Sequence, residues 1–144
     1  MSGAEARELR WAVEPVMAER AARLATQAQA EELFLWAGER WRGRMSGNPD
    51  EFVKMDLRFH EALARASRSS LAAATHRMAS AACGHDMRRR AGGLARHPDL
   101  DRLHDELVNA ILEHRSAPAR RIARRIAEIE AGLGDGLAPP TSAA

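Results

Sequence analysis

Asp56-Leu57-Arg58-Phe59-His60-Glu61-Ala62-Leu63-Ala64-Arg65-Ala66-Ser67 is the stretch on which the reading of the fold turns. With the residues just before it, Phe52, Met55, Asp56, Phe59, His60 and Leu63 recur at helical spacing, so they form one stripe on one helix. Asp56 and His60 lie in that apolar stripe, one turn apart, and an i, i+4 pair points the same way. A second helical pattern, His104-Asp105-Glu106-Leu107-Val108-Asn109-Ala110-Ile111, opens on another histidine. A carboxylate and an imidazole on one inward face, met by an imidazole from a second helix, supply three quarters of a metal site.

The same periodicity extends in both directions. A first helix is expected from about Ala4 to Ala25, with Leu9, Val13, Met17, Ala21 and Leu24 at helical spacing. Pro15 falls inside it and predicts a kink or a local start. Arg10 and Glu14 are one turn apart and predict a pair along this helix. A second helix runs from about Ala28 to Arg44, with Leu33, Leu35 and Trp36 apolar, Trp36 in the core and Trp41 at an interface. Ser46-Gly47-Asn48-Pro49 breaks it. Asn48 is a good N-cap, Pro49 suits a first helical turn, and Glu51 makes a capping-box variant. After the quoted stretch, Ser69 or Ser70 caps a fourth helix from Leu71 to about Arg90, which Gly92-Gly93 ends. A fifth covers about Leu100 to His114. Ser116 with Pro118 starts a sixth, reaching about Leu133. The fold expected is all-α: an antiparallel bundle of about six helices over 1–133. Gly134, Gly136, Pro139, Pro140 and the Ser/Ala end read as a disordered tail, 134–144.

Composition agrees. Ala, Arg, Glu and Leu dominate, Tyr is absent, and β-branched residues are few. With 144 residues, 45% of them hydrophobic, the chain can bury a single core. The net charge of +2 is too small a bias to argue for nucleic acid. Arg88-Arg89-Arg90 and the pairs Arg120-Arg121 and Arg124-Arg125 read as solvated helix faces. One cysteine, Cys83, excludes an intrachain disulfide and sits among small apolar residues, as a core thiol would. The N-terminus has no apolar run, and no stretch approaches the 18 apolar residues of a membrane span. A cytoplasmic protein without membrane contact is the expectation.

These residues resemble a known family. Arg10-Trp11-Ala12-Val13-Glu14-Pro15, followed by Ala21-Ala22-Arg23-Leu24-Ala25, is similar to the opening helix of the C-terminal effector domain (FCD) of FadR-type GntR transcription regulators. The Asp56–Ser67 stretch resembles that family's D-x-x-F-H-x-x-hydrophobic-A-x-A-S signature. His104–Ile111 resembles its H-x-x-hydrophobic-hydrophobic-x-A-I signature. The resemblance implies a helical bundle that binds a small carboxylate-type metabolite in its core, with a divalent metal in many members. It also implies metal ligation by Asp56, His60 and His104. The family's fourth ligand, a further histidine, is absent. Ungapped counting places Ile126 there, and small shifts offer Ile129 or Glu130, the latter able to ligate only if the last helix is displaced. Ser69 or Ser70 stands where the family often has Asn. The family's winged helix-turn-helix is not expected in this chain, so DNA would be reached only through a DNA-binding domain outside it.

Imidazole and carboxylate suit Zn, Ni, Mn or Fe(II) near neutral pH. Three protein ligands leave positions open for water or a ligand carboxylate. The competing assignment for the same residues is a buried Asp56–His60 ion pair linked to His104 without metal. His76, His85, His97 and His114 lack comparable partners and read as surface or helix-end histidines, with His85 able to face the pocket if its helix turns that way. Arg58 reads as exposed. An arginine in the pocket would clamp an effector carboxylate, but no particular one stands out. No phosphate loop and no nucleophile motif supports an enzyme. The function expected is a non-catalytic, homodimeric effector domain of a transcription regulator that senses a small organic acid. Its rivals are a metal-free helical interaction module and, more remotely, a metal-dependent hydrolase.

Overall fold

The computed structural model describes residues 1–132, so the tail expected over 134–144 lies outside the described residues. Six helices follow one another: α1 (Gly3–Leu24), α2 (Gln27–Met45), α3 (Pro49–Ala66), α4 (Ser70–Arg96), α5 (Leu100–Leu112) and α6 (Ser116–Gly132). There is no strand among the described residues. Side chains that cap backbone N–H groups set most of the starts. Ser2 with Glu5 and Thr26 with Gln29 form full capping boxes on α1 and α2. Asn48 Oδ1 accepts from the Asp50 and Glu51 amides, with Pro49 in the first turn of α3. Ser69, rather than Ser70, caps α4 by accepting from the Ala72 amide.

α1 has close to the expected bounds and runs through Pro15 without a new start, with a stripe of Ala6, Met17, Ala18, Ala21 and Ala22 buried on either side of it. Small alanines let α1 lie close to α3, α4, α5 and α6 at once. α4 does not stop at Gly92-Gly93 but continues to Arg96. Neither glycine adopts a positive φ, and Ala91 and Leu94 bury the last turn against the core. That packing overrides a propensity cost of about 1 kcal/mol per glycine. The turn at His97-Pro98 then ends the helix.

α2 packs on α3 and α5, α3 also on α4, and α5 on α6. One close approach positions a buried arginine. A Cβ on Gly43 would lie 3.1 Å from the Glu51 carbonyl oxygen and 3.1 Å from the Phe52 Cα. The absence of a side chain there lets α2 come down on α3 and brings Arg40 to Asp56. Cys83 is a buried core residue, as expected. Leu33 is core, Trp36 is half-buried, and Leu35 faces out, 66% exposed. Arg58 is exposed. Arg90 is not on a solvated face: it is buried and donates to the Asp86 carboxylate and to the Glu130 carbonyl oxygen.

Candidate metal centre

The inward stripe of α3 carries Asp56 and His60 into the middle of the bundle, and α5 brings His104 to meet them. All three side chains are buried. His60 Nε2 lies 3.8 Å from Asp56 Oδ2, and His104 Nε2 lies 3.8 Å from Asp56 Oδ1. A fourth donor comes from α6: Glu130 Oε1 is 3.6 Å from His60 Nε2. One ligand atom from each of Asp56, His60, His104 and Glu130 lies within 4.8 Å of the others. These separations are too long for hydrogen bonds. Asp56 Oδ2, both His60 ring nitrogens and His104 Nε2 are buried without a hydrogen-bond partner. Unpartnered buried polar atoms are costly, and here all but His60 Nδ1 face one another.

Outer contacts fix this orientation. His104 Nδ1 donates to the Leu100 carbonyl oxygen at 2.6 Å, which leaves the Nε2 lone pair inward. Arg40, wholly buried, donates from Nε to Asp56 Oδ1 at 2.6 Å and from Nη1 to Asp101 at 2.9 Å. Arg44 reaches the other Asp101 oxygen at 2.6 Å. The Phe59 ring meets His60 and His104 edge to face, at 5.4 and 4.9 Å between centroids.

On its other side His60 faces α1 and α4. Its Nδ1 is 3.4 Å from Glu14 Oε1. That oxygen accepts from Arg10 Nε at 2.7 Å and pairs with His76 Nε2 at 3.2 Å. Ser80 Oγ lies 3.4 Å from His76 Nδ1. With the proton on Nε2, His76 donates to Glu14 and accepts from Ser80. His76 is therefore not the surface histidine expected from sequence; it is fully buried inside a hydrogen-bonded network. His85 is exposed and does not face the cluster, His97 forms the C-cap of α4, and His114 sits at the α5 end, bonded to the Ala22 carbonyl oxygen.

Three buried carboxylates, Glu14, Asp56 and Glu130, surround His60, against two buried guanidiniums, Arg10 and Arg40. The excess of negative charge sets the titration of the imidazoles. Burial works against a charged His60, but Glu14, then Glu130 and Asp56, outweigh it and raise its pKa. Burial together with Arg40 holds His104 well below the ordinary histidine value, with Asp56 opposing. Burial also lowers His76, against Glu14. Burial would raise Asp56, yet Arg40 and then the two histidines bring it down to about 2.

A family model for the FCD domain matches residues 5–128. The chain belongs to the FCD family. FCD domains are the C-terminal effector domains of GntR-family regulators, a regulatory rather than a catalytic class. They bind small-molecule effectors and dimerise, and they are often associated with a metal. No curated protein matches the chain. Among the described residues no helix is long and apolar enough to cross a membrane.

The residues of this FCD domain fit a divalent ion. Four donors each about 2.1 Å from one ion stand about 3.4 Å apart at tetrahedral angles. The 3.6 and 3.8 Å separations exceed this by a few tenths of an ångström, and one ligand atom from each of the four residues lies within 4.8 Å of the others. Ile126, at the ungapped position of the absent histidine, is buried core and offers no donor. Glu130 sits one turn later. Helical side chains lean toward the N-terminus, so its carboxylate reaches back to within 3.6 Å of His60 Nε2. No displacement of α6 is needed.

The sequence did not mark Arg40 as a site residue, placed His76 at a surface or helix end, and offered Arg10 and Glu14 only as a pair along α1 and as part of the opening-helix resemblance. The signal was present. Leu33, Ala37 and Arg40 share one face of α2, and His76, Ala79, Cys83 and Met87 share one face of α4.

Proposed function

We propose that this effector domain senses a small organic acid in its core, beside a divalent ion held by Asp56, His60, His104 and Glu130. The observation that carries this reading is the cluster of buried donor atoms from three helices, those of Asp56, His60 and His104 without a hydrogen-bond partner, with one ligand atom of each residue within 4.8 Å of the others. When bound, such an ion supplies a fixed positive charge with a position open to an oxygen ligand. Two imidazoles and two carboxylates suit Zn, Ni, Mn or Fe(II). Arg40 orients Asp56, the Leu100 carbonyl orients His104, and Arg10 offers a buried guanidinium for an acid group. A ligand gripped by α1, α3, α5 and α6 together favours one arrangement of those helices, which is what coupling to a DNA-binding domain requires. The same reading has the domain working as a homodimer in the cytoplasm. Dimerisation suits the exposed Phe34, Leu35, Trp41 and Met45 of α2.

The test is a titration of chelator-stripped protein with Zn, Ni, Mn and Fe(II) salts, alone and with small organic acids, followed by calorimetry and thermal melting. Bound ligand should raise the melting temperature by mass action. Asp56→Ala combined with His60→Ala should remove the rise. An unchanged melting curve across all metals and acids defeats the reading. It would favour the metal-free interaction module, for which the raised His60 pKa speaks, since a protonated imidazole offsets the same excess of negative charge. A hydrolase would show metal-dependent turnover lost with the same substitutions.

A further inference from the structure

Glu130 touches two different partners with its two oxygens. Oε1 lies 3.6 Å from His60 Nε2, and Oε2 lies 3.3 Å from Arg10 Nη2. A single carboxylate thus spans the imidazole cluster and a buried guanidinium. Arg10 is held for this contact by Glu14 on Nε and by the Met87 sulfur on Nη1, at 2.7 and 3.2 Å. On the outer side of Glu130, between α1, α4 and α6, is a cleft lined by Arg7, Arg10, Trp11, Met87 and Leu94, among others. Its free volume is about 20 Å³, room for about one water and no more. The Trp11 indole N–H is buried without a hydrogen-bond partner, although Trp11 lines this cleft. The Glu130 carboxylate thus lies between a guanidinium and an imidazole, partners for an acid, and a residue of the adjoining cleft, Trp11, carries a spare N–H donor. The chain's own side chain fills the seat between guanidinium and imidazole.

We propose that Glu130 is an internal occupant of the carboxylate seat, the fourth donor only while no acid is bound, and that a small organic acid enters by displacing this side chain from His60 and Arg10 and takes its place beside Asp56, His60 and His104. The inference rests on the core-site reading and adds what fills the seat when no acid is bound. Replacing Glu130 by alanine removes a methylene and a carboxylate, the framework of acetate. The void left behind has the size and the polar partners of that ion. Glu130→Gln keeps the seat filled while removing the charge.

The experiment compares wild type, Glu130→Ala and Glu130→Gln in sodium acetate and in sodium chloride at equal ionic strength, first with EDTA and then with Zn or Mn. Acetate should raise the melting temperature of Glu130→Ala by about 4 °C or more over chloride. The tethered carboxylate of wild type and the amide of Glu130→Gln hold the seat at an effective concentration that a single acetate group does not overcome, so both should move by about 1 °C or less. A missing acetate-specific rise in Glu130→Ala, or an equal rise in all three proteins, overturns the proposal. A second measurement uses the wild-type chain alone: citrate is titrated while the 13C carboxyl resonance of Glu130, assigned by its loss in Glu130→Gln, is followed. Displacement moves that resonance; bound citrate with the resonance unmoved overturns the proposal. Acetate rescue in EDTA without any metal binding by wild type rejects the metal centre and keeps the seat. Metal binding without rescue rejects the seat and keeps the metal centre.

Discussion

On the α1–α4 side of His60 most polar atoms are matched: Glu14 accepts from Arg10 and His76, and His76 reaches Ser80, while His60 Nδ1 stands 3.4 Å from Glu14 Oε1 without a hydrogen bond. On the α3–α5–α6 side, Asp56 Oδ2, His60 Nε2 and His104 Nε2 face one another with no hydrogen bond made. Both sides are equally buried, so solvent does not account for the difference. A closed polar network stabilises a fold; a ring of acceptors and ring nitrogens left open stabilises nothing by itself and has the chemistry of a receptor for a cation. The two sides should therefore respond oppositely to substitution. The matched side should fail in stability whatever the metal content, and the open side should fail mainly in binding.

Glu14→Ala gives the largest effect. It strips Arg10 and His76 of their shared acceptor deep in the core. Breaking a buried pair by removing one partner costs about 3–5 kcal/mol. Urea denaturation should show this loss equally in EDTA and in excess metal. A loss confined to the metal-loaded protein would make Glu14 part of the open side and dissolve the distinction.

Gly43→Ala tests whether the open side depends on helix spacing. The added methyl would meet the Glu51 carbonyl oxygen at 3.1 Å, backbone that can yield only by moving α2 off α3. Overpacking of this kind costs about 1–3 kcal/mol. Because the same shift draws Arg40 from Asp56, metal affinity measured by calorimetry should fall as well. Full affinity in a destabilised Gly43→Ala protein would show that Arg40 does not orient Asp56.

The six helices were legible in the sequence, since periodicity and caps are local. So was the convergence of Asp56, His60 and His104, which needs only two inward stripes and one contact between helices. The end of α4 was not, because Gly92-Gly93 obeys packing by Ala91 and Leu94 rather than propensity. Arg10, Glu14, Arg40 and His76 all fall on apolar stripes, yet a charged residue on a stripe is ordinarily read as its edge. What put them inside is that each finds a partner on another helix: Asp56 for Arg40, Glu14 for His76, Glu130 for Arg10. Glu130 was admitted only with a displaced last helix, because counting assumes that a ligand must stand at its position, whereas a side chain one turn later leans back to within 3.6 Å of His60.

Acid adds a milder probe on the matched side. Asp86 of α4 has its carboxylate against Arg7, Arg89 and Arg90, beside the Arg10 cleft. Burial raises its pKa, but hydrogen bonds from those arginines outweigh that and hold it below the ordinary carboxylate value. A pKa lowered by folding means that the unfolded chain takes up the proton first. The stabilisation is present above the unfolded value of about 4 and disappears as pH falls through the lower folded value. Asp86→Asn should then cost about 1–2 kcal/mol near neutral pH. The gap between variant and wild type in urea midpoint should close on acidification below about pH 4. A gap independent of pH would mean that Asp86 contributes shape and not charge.

His104→Leu should cost least in stability, and it discriminates best between the two sides. The imidazole makes one hydrogen bond, to the Leu100 carbonyl, while its other nitrogen has no partner. Leucine is of similar size and leaves no polar atom stranded, so in EDTA the loss should be about 1 kcal/mol, the worth of one ordinary hydrogen bond. In the same protein a donor of the proposed centre is gone, and the melting-temperature rise on adding metal should vanish. A cost as large as that of Glu14→Ala would place His104 in a matched network and remove the reason to treat the open side as a binding site. A small cost with the metal response intact would leave Asp56, His60 and Glu130 as the whole donor set, and Arg40 beside them as the group that compensates the remaining charge.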